Sequence, residues 1–217
     1  EALSTTQISN ISSTAIAGLS GGQIGSLSTD KLAALTTGQA QSLTNTQIRA
    51  LTTGQMSGLT TASLAALTTA QIGAFNGTQL NALSTAQVVS LETADIAALD
   101  ARVVSTLSTV NVAALSSGQV KALDSTQLKA LTTAQLNALD TVDVAAMGTN
   151  QVQALTTGQV ASLSTDKVTA LTSGQIQALT STQVAGLTTT QVASLTTSQV
   201  EALTTSQIQS LGSSQIA

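Results

Sequence analysis

A leucine-like residue stands at every eighth position from Leu3 to Leu211, with no insertion or deletion anywhere in between. Of these 27 positions only Ile11, Phe75 and Met147 depart from leucine. A fixed short period constrains a fold more than any other feature, because each unit has to pack against copies of itself. It also points away from a built chemical site and towards shape and assembly.

Numbered from its leucine, a typical unit reads Leu131-Thr132-Thr133-Ala134-Gln135-Leu136-Asn137-Ala138. Position two is Ser, Thr or Asp in nearly every unit, and position five is usually Gln. Position six is almost always Ile, Val or Leu, and position eight is small. The spacing Ser/Thr/Asp-x-x-Gln is a capping box: the cap side chain accepts from the backbone N–H three residues on, and the Gln reaches back to the cap's own N–H. Leu131 before the cap and Leu136 four residues after it are spaced as a hydrophobic staple. Each unit therefore carries two helix-start signals.

The helix that follows is short, because the next cap arrives eight residues later. One continuous helix fits badly: eight residues would rotate the leucines by about 80° per repeat and spiral them around the surface. A strand fits badly too, since Leu131 and Leu136 are an odd number of residues apart and would face opposite ways. Ala and Gln are also poor strand formers. The pattern predicts an all-α solenoid of about 27 helices of one to two turns with sharp bends between them. One solenoid is expected to run through residues 1–217, since no linker or composition shift divides them. A single unit cannot stand alone, because isolated helices below roughly 12 residues are marginal in water. Stability has to come from stacking, with Leu and Ile/Val of successive layers forming one strip and the small position-eight residue allowing close approach.

Departures from the consensus mark further expectations. Charged residues cluster at positions four, five and seven (Asp30, Lys31, Arg49, Arg102, Lys121, Lys129, Lys167, Glu201) or at the cap (Glu92, Asp100, Asp124, Asp140), positions that the pattern assigns to the exposed side. Ala40 is the only small residue at position six and predicts a thin spot in the core. The unit from Leu99 has Val103 in place of Gln and is expected to be the least regular layer.

Composition bounds the chemistry. The chain has no His, Cys, Trp, Tyr or Pro, a net charge of −4, and Phe75 as its single aromatic residue. That leaves no basic footprint for nucleic acid and no platform for stacking bases. Without His or Cys, a Ser nucleophile would need a Lys or carboxylate base placed by chance. No catalytic, cofactor-binding or metal-ligating residue is assigned, and no cofactor is expected. Asp140 with Asp143, and Glu92 with Asp95 and Asp100, are the closest acidic groupings. Calcium sites need six to eight oxygens, and these acids read better as caps and box residues near helix N-termini. Apolar runs are short and broken by Ser, Thr or Gln, so no membrane span of about 20 residues is present. The sequence opens on Glu1 with no visible signal peptide, which reads as a processed product or an excerpt of a longer array.

Two N-glycosylation patterns occur, Asn10-Ile11-Ser12 and Asn76-Gly77-Thr78. Regular pairs such as Thr36-Thr37, Thr52-Thr53, Thr68-Thr69 and Thr132-Thr133 raise an ice-binding reading. In that reading a flat ladder of hydroxyls matches a lattice, although Ser13, Gly21, Asn45 and Gly77 break it.

The phrase Leu-Thr-Thr-x-Gln-Val/Ile-x-Ala-Leu resembles the short-period tracts of very large bacterial surface and secreted proteins, including haemagglutinin- and adhesin-like fibres. The resemblance implies an extracellular or cell-surface, fibrous role and supplies no site residues. Leu83–Val89 also resembles the first helix of DNA-reading repeats of plant-pathogen effectors, whose longer period and basic character are missing here. The expected function is a structural repeat protein that forms or extends a filament. Its partner is itself, head to tail, with the cell surface or biofilm matrix as surroundings. The first unit keeps Leu3, Gln7 and Ile8 and the last keeps Leu211, Gln215 and Ile216, so neither end looks capped. A rigid spacer within a giant surface adhesin is the main alternative. Ser-Thr-Asp-Lys recurs at Ser28–Lys31 and Ser164–Lys167, a whole number of units apart, as growth by duplication would leave it.

Overall fold

Each capping box starts a helix where the spacing places it. The computed structural model describes residues 3–217, and these form 27 short α-helices, from Thr5–Ser9 to Ser213–Ile216, with no strand among them. Thr132 is representative: its Oγ1 accepts from the Gln135 N–H at 3.2 Å, and Gln135 Oε1 accepts from the Thr132 N–H at 2.7 Å. At Gly148 the cap has no side chain, and the Gln151 carbonyl oxygen takes the cap N–H alone, at 2.7 Å. Ser28 and Ser164 precede Lys31 and Lys167 at position five and make no side-chain cap bond.

The bend between helices needs no left-handed residue. Leu131 (φ −61°, ψ 136°) and Thr132 (φ −70°, ψ 160°) are both extended, and two such residues swing the chain out of one helix and into the next. No described residue has positive φ. This explains why position eight tolerates Ala: no turn here requires glycine at the helix end.

Two compact units divide the chain, Glu1–Ala114 and Leu115–Ala217. The octad spacing itself runs through that boundary without a change of length. Within each unit a helix packs on the one three units later. In the first, Ser13–Ala17 lies on Thr37–Ser42 and Gly21–Gly25 on Asn45–Ala50; in the second, Thr149–Ala154 lies on Ser173–Ala178. The fold is the expected all-helical solenoid of octad units.

In each unit the core is a strip of position-six residues, with Ile16, Ile24, Leu32, Ile48 and Val112 wholly buried in the first and Val120 and Val168 in the second. Position-one leucines flank it, and Phe75 and Met147 take leucine's place without leaving the core. Ala40, the expected thin spot, is itself fully buried. The layer with Val103 is irregular as expected. Its cap, Asp100, accepts from the Arg102 N–H, one residue early, and the following leucine, Leu107, is only half-buried.

Position five departs from the expectation of exposure. Gln39, Gln47, Gln119 and Gln127 are about as buried as the leucines. So are the polar residues that replace Gln elsewhere, Ser63, Asp95, Asn111 and Asp143. Lys31 and Lys167 at this position are half-buried. Burial of an amide is tolerable only where its donors and its acceptor all find partners, and the layer geometry provides them.

Candidate functional site

The capping Gln uses its carbonyl oxygen locally and its amide nitrogen across the coil. Gln39 Oε1 accepts from the Thr36 N–H at 2.8 Å, while its Nε2 donates to the Ile8 carbonyl at 2.8 Å and the Ile11 carbonyl at 2.7 Å. The same pair of bonds recurs from Gln47 to Ile16 and Leu19, and from Gln87 to Met56 and Leu59. In the second unit Gln159 bonds to Leu128 and Leu131, Gln199 to Val168 and Leu171, and Gln207 to Ile176 and Leu179. The acceptors always lie 31 and 28 residues earlier. They are carbonyls at the end of a helix one coil back: the first, at position six, also accepts the N–H three residues on, and the second belongs to the position-one residue that follows. Helices three units apart touch, and the amide reaches back four units, so one coil takes between three and four octads.

Other side chains stitch the layers. Asn81 Nδ2 donates to the Thr106 carbonyl at 2.8 Å and its Oδ1 accepts from the Ser108 N–H at 2.7 Å. Asn137 makes the same clamp on Ser162 and Ser164. Small residues set the approach. A Cβ on Gly77 would strike the Thr106 hydroxyl, and one on Gly186 would strike Thr157 Cγ2. Position three therefore meets position eight of the next coil, where the small residue was expected to allow close contact.

The acidic groupings are parts of this scaffold. Asp140 is a cap whose Oδ1 accepts from the Asp143 N–H at 2.7 Å. Asp143 fills the position of Gln, is buried, and accepts from Ser117 Oγ at 2.7 Å. Burial pushes its carboxyl above the usual range, the Ser117 bond works against that shift, and the nearby Asp140 charge adds to it. Asp95 repeats the arrangement: it is buried, accepts from the Glu92 N–H at 3.0 Å, and takes a hydrogen bond from the Thr69 hydroxyl. Its carboxyl is likewise raised, chiefly by desolvation. Asp100 stands apart and pairs with the exposed Arg102 guanidinium at 3.1 Å, which lowers its pKa. Among the described residues no three His, Cys, Asp or Glu side chains come together in a group able to hold a metal ion.

The remaining sequence features lie on the surface. Asn10 and Asn76 are exposed, and Asn76 is a helix cap through Oδ1. In the pairs Thr36-Thr37, Thr52-Thr53, Thr68-Thr69 and Thr132-Thr133 the first hydroxyl accepts the cap bond and the second Thr is exposed. Val89 and Val110 line an open hollow of about 720 Å³ with Thr85, Ala86, Ala113 and Ala114. Among the described residues no helix is long and apolar enough to cross a membrane.

The octad of cap, bridging Gln and core residue is also the pattern of a known repeat family. The ALTTAQ repeat matches residues 59–92, 88–125, 120–157, 152–181 and 160–197, which together take in well over half of the chain. The chain belongs to the ALTTAQ repeat family. The six letters stand intact at Ala66–Gln71 and Ala130–Gln135. In structural terms they run from the small residue of one helix end, through the core leucine and the cap, to the Gln of an ALTTAQ unit. Residues on either side of the matched span keep the same octad spacing. A search of curated proteins finds no match to the chain.

Sequence reasoning found the cap role of the Gln and missed its second role. The available signal was the amide itself: a capping box needs only an acceptor at position five, which Glu provides equally well. Yet no unit here has Glu there. A position that takes Gln and avoids Glu is one that needs a donor.

Proposed function

We propose that this member of the ALTTAQ family is a structural protein whose solenoid extends an extracellular or cell-surface filament by end-to-end stacking. The reading gives it no catalytic role and no cofactor. The observation that carries it is the amide bridge between layers. Its acceptors are main-chain carbonyls, which every octad offers whatever its side chains, so one layer can receive any other.

Within residues 3–217 the outermost octads expose apolar side chains of the kind that the inner octads cover. Leu3 is 43% exposed, and Ile11, Leu19 and Leu27 are half-buried where later leucines are covered. At the other end Val200, Ile208 and Ile216 are exposed, whereas the position-six residues of the interior are not. A head-to-tail contact that does not close on itself generates an open filament. The likeness of the octad to tracts of bacterial surface fibres supports the extracellular setting.

A spacer within a longer surface adhesin is the second reading. It is favoured by the uniform octad, which allows lengthening by whole units with no new kind of contact. Electron microscopy of the purified 217-residue chain in plain buffer separates the two. Uniform filaments are the expected result. Single short particles at every concentration would end the filament reading and leave the spacer.

A further inference from the structure

We propose that Asn76 is a site of spontaneous modification by water. The Gly77 main-chain nitrogen closes on the Asn76 side chain, and hydrolysis of the ring leaves aspartate or isoaspartate. The reaction does not depend on the stacking reading above. Asn76-Gly77 is the only Asn-Gly pair in the sequence; every other asparagine is followed by a residue with a side chain. Asn76 is exposed, and the capping box holds it from both sides. Its Oδ1 accepts from the Gln79 N–H at 2.9 Å, and its own N–H donates to Gln79 Oε1 at 3.0 Å. The bond to Oδ1 polarises the carbonyl and so makes Cγ a better target for a nucleophile. No described residue accepts from Asn76 Nδ2, the leaving nitrogen. By contrast the Nδ2 groups of Asn10, Asn81, Asn111 and Asn137 all donate at 2.8 Å, to the carbonyls of Thr6, Thr106, Leu80 and Ser162.

The attacking nitrogen is equally free. Gly77 is the first residue of its helix, where an N–H has no partner within the helix, and no described residue accepts from it. Asn76 is extended (φ −93°, ψ 167°), so its Cα–C bond must turn to bring that nitrogen onto Cγ. Glycine permits the turn because it has no Cβ to hinder the approach or to restrict its own backbone. Packing keeps the pair as it is, since a Cβ at Gly77 would strike the Thr106 hydroxyl. The contact that demands glycine therefore also preserves the reactive sequence.

The steps balance with water as the sole co-reactant. The Gly77 nitrogen gives its proton to solvent and bonds to Cγ, the Cγ–Nδ2 bond breaks, and Nδ2 takes a proton and leaves as ammonia. Water then opens the cyclic imide at either carbonyl. Cleavage at Cγ gives aspartate at position 76, a cap of the kind that Asp124 and Asp140 already form on the Gln127 and Asp143 N–H groups, both at 2.7 Å. Cleavage at the main-chain carbonyl gives isoaspartate, in which the chain runs through the former side chain. That product lengthens one octad by a main-chain carbon, directly before the layer where Gly77 meets Thr106 and Asn81 clamps the Thr106 carbonyl. One product leaves the layer intact and the other sets it out of register.

The test is to hold the purified, folded 217-residue chain in mildly alkaline buffer and follow each asparagine by peptide mass spectrometry. Enzymatic methylation of isoaspartate distinguishes the two products. Asn76 is expected to convert at least about tenfold faster than any other asparagine, the effect of a barrier lower by about 1.4 kcal/mol. Isoaspartate is expected among the products, with ammonia released in step. Gly77→Ala/Thr106→Ala places a Cβ beside the nitrogen and makes room for it; once melting shows that this variant folds, it is expected to keep Asn76 intact over the same period. Thr106→Ala alone retains the Asn-Gly pair and is expected to convert as the unaltered chain does. Conversion in urea but not in the folded chain would mean that the capping box guards Asn76, and the proposal falls. Equal conversion in the Gly77→Ala/Thr106→Ala variant, or aspartate formed with no isoaspartate, would equally overturn it, because neither passes through attack by the glycine nitrogen.

Discussion

Asp95 and Asp143 are the residues at which this chain departs most from its own rule. Each sits where the consensus has a donor and brings a carboxylate instead. The carboxylate is met by a hydroxyl from the neighbouring layer, Thr69 for Asp95 and Ser117 for Asp143. Burial raises both carboxyl groups, so the folded chain holds protons that the unfolded chain has released. A carboxyl raised in this way gives stability that is complete below its unfolded pKa and is lost as pH rises through the folded one. The second unit should therefore melt at a higher temperature at pH 4 than at pH 7, the reverse of ordinary acid denaturation. In the first unit, which holds Asp95, the exposed Asp100–Arg102 pair works in the opposite direction, but an exposed pair contributes little. Asp143→Gln restores the donor and is expected to raise stability at pH 7 by about 1–2 kcal/mol while flattening the pH profile. Thermal melts of both chains from pH 4 to 8 decide this, and a steeper loss in acid for the native chain would refute it.

At the scale of the helix, local signals and distant ones separate cleanly. The cap, the staple and the length of each helix were legible because all their partners lie within eight residues. The bridge was not legible, because its acceptors are main-chain groups 28 and 31 residues away and leave no mark on the side-chain pattern at their own positions. For the same reason position five read as exposed: a polar residue usually is, and only the coil geometry shows where its amide goes. Gln159→Glu tests the weight of the bridge in the interior. The cap oxygen survives, but the bonds to Leu128 and Leu131 are lost in a buried place. The expected cost is about 2–4 kcal/mol, read as a fall in the denaturant midpoint.

The same scale explains the scattered glycines. Gly77 is glycine because Thr106, a residue of unusual size at position eight, fills the space that a Cβ would take. Gly77→Ala is expected to destabilise the first unit by about 1–3 kcal/mol through overpacking. Adding Thr106→Ala should recover much of that loss, giving a coupling energy that two independent sites would not show. A double-mutant cycle in urea measures it, and additive costs would mean that the two residues do not meet.

For the molecule as a whole, the octad is a unit of length as well as of structure. Every glutamine bridge joins position five to position six of one unit and position one of the next, so the bridging pattern depends on the count of residues modulo eight. Removing one full octad, such as residues 155–162, leaves each later Gln facing carbonyls of the same kind. Stability should then fall only by the share of one unit and its interface, a shift of roughly 2–4 °C for each kcal/mol lost in a chain of this size. Removing four residues, 155–158, deletes less material but puts every later unit half an octad out of phase. Position six then falls opposite small polar residues, and the bridging amides lose their acceptors over a whole coil. The half-octad deletion should cost several times more stability than the full one, with loss of helical signal beyond the cut. Circular dichroism and melting of the two deletions side by side give the answer. A penalty that merely scaled with the number of residues removed would show that the layers are held by general hydrophobic contact, with no register imposed by the glutamine bridge.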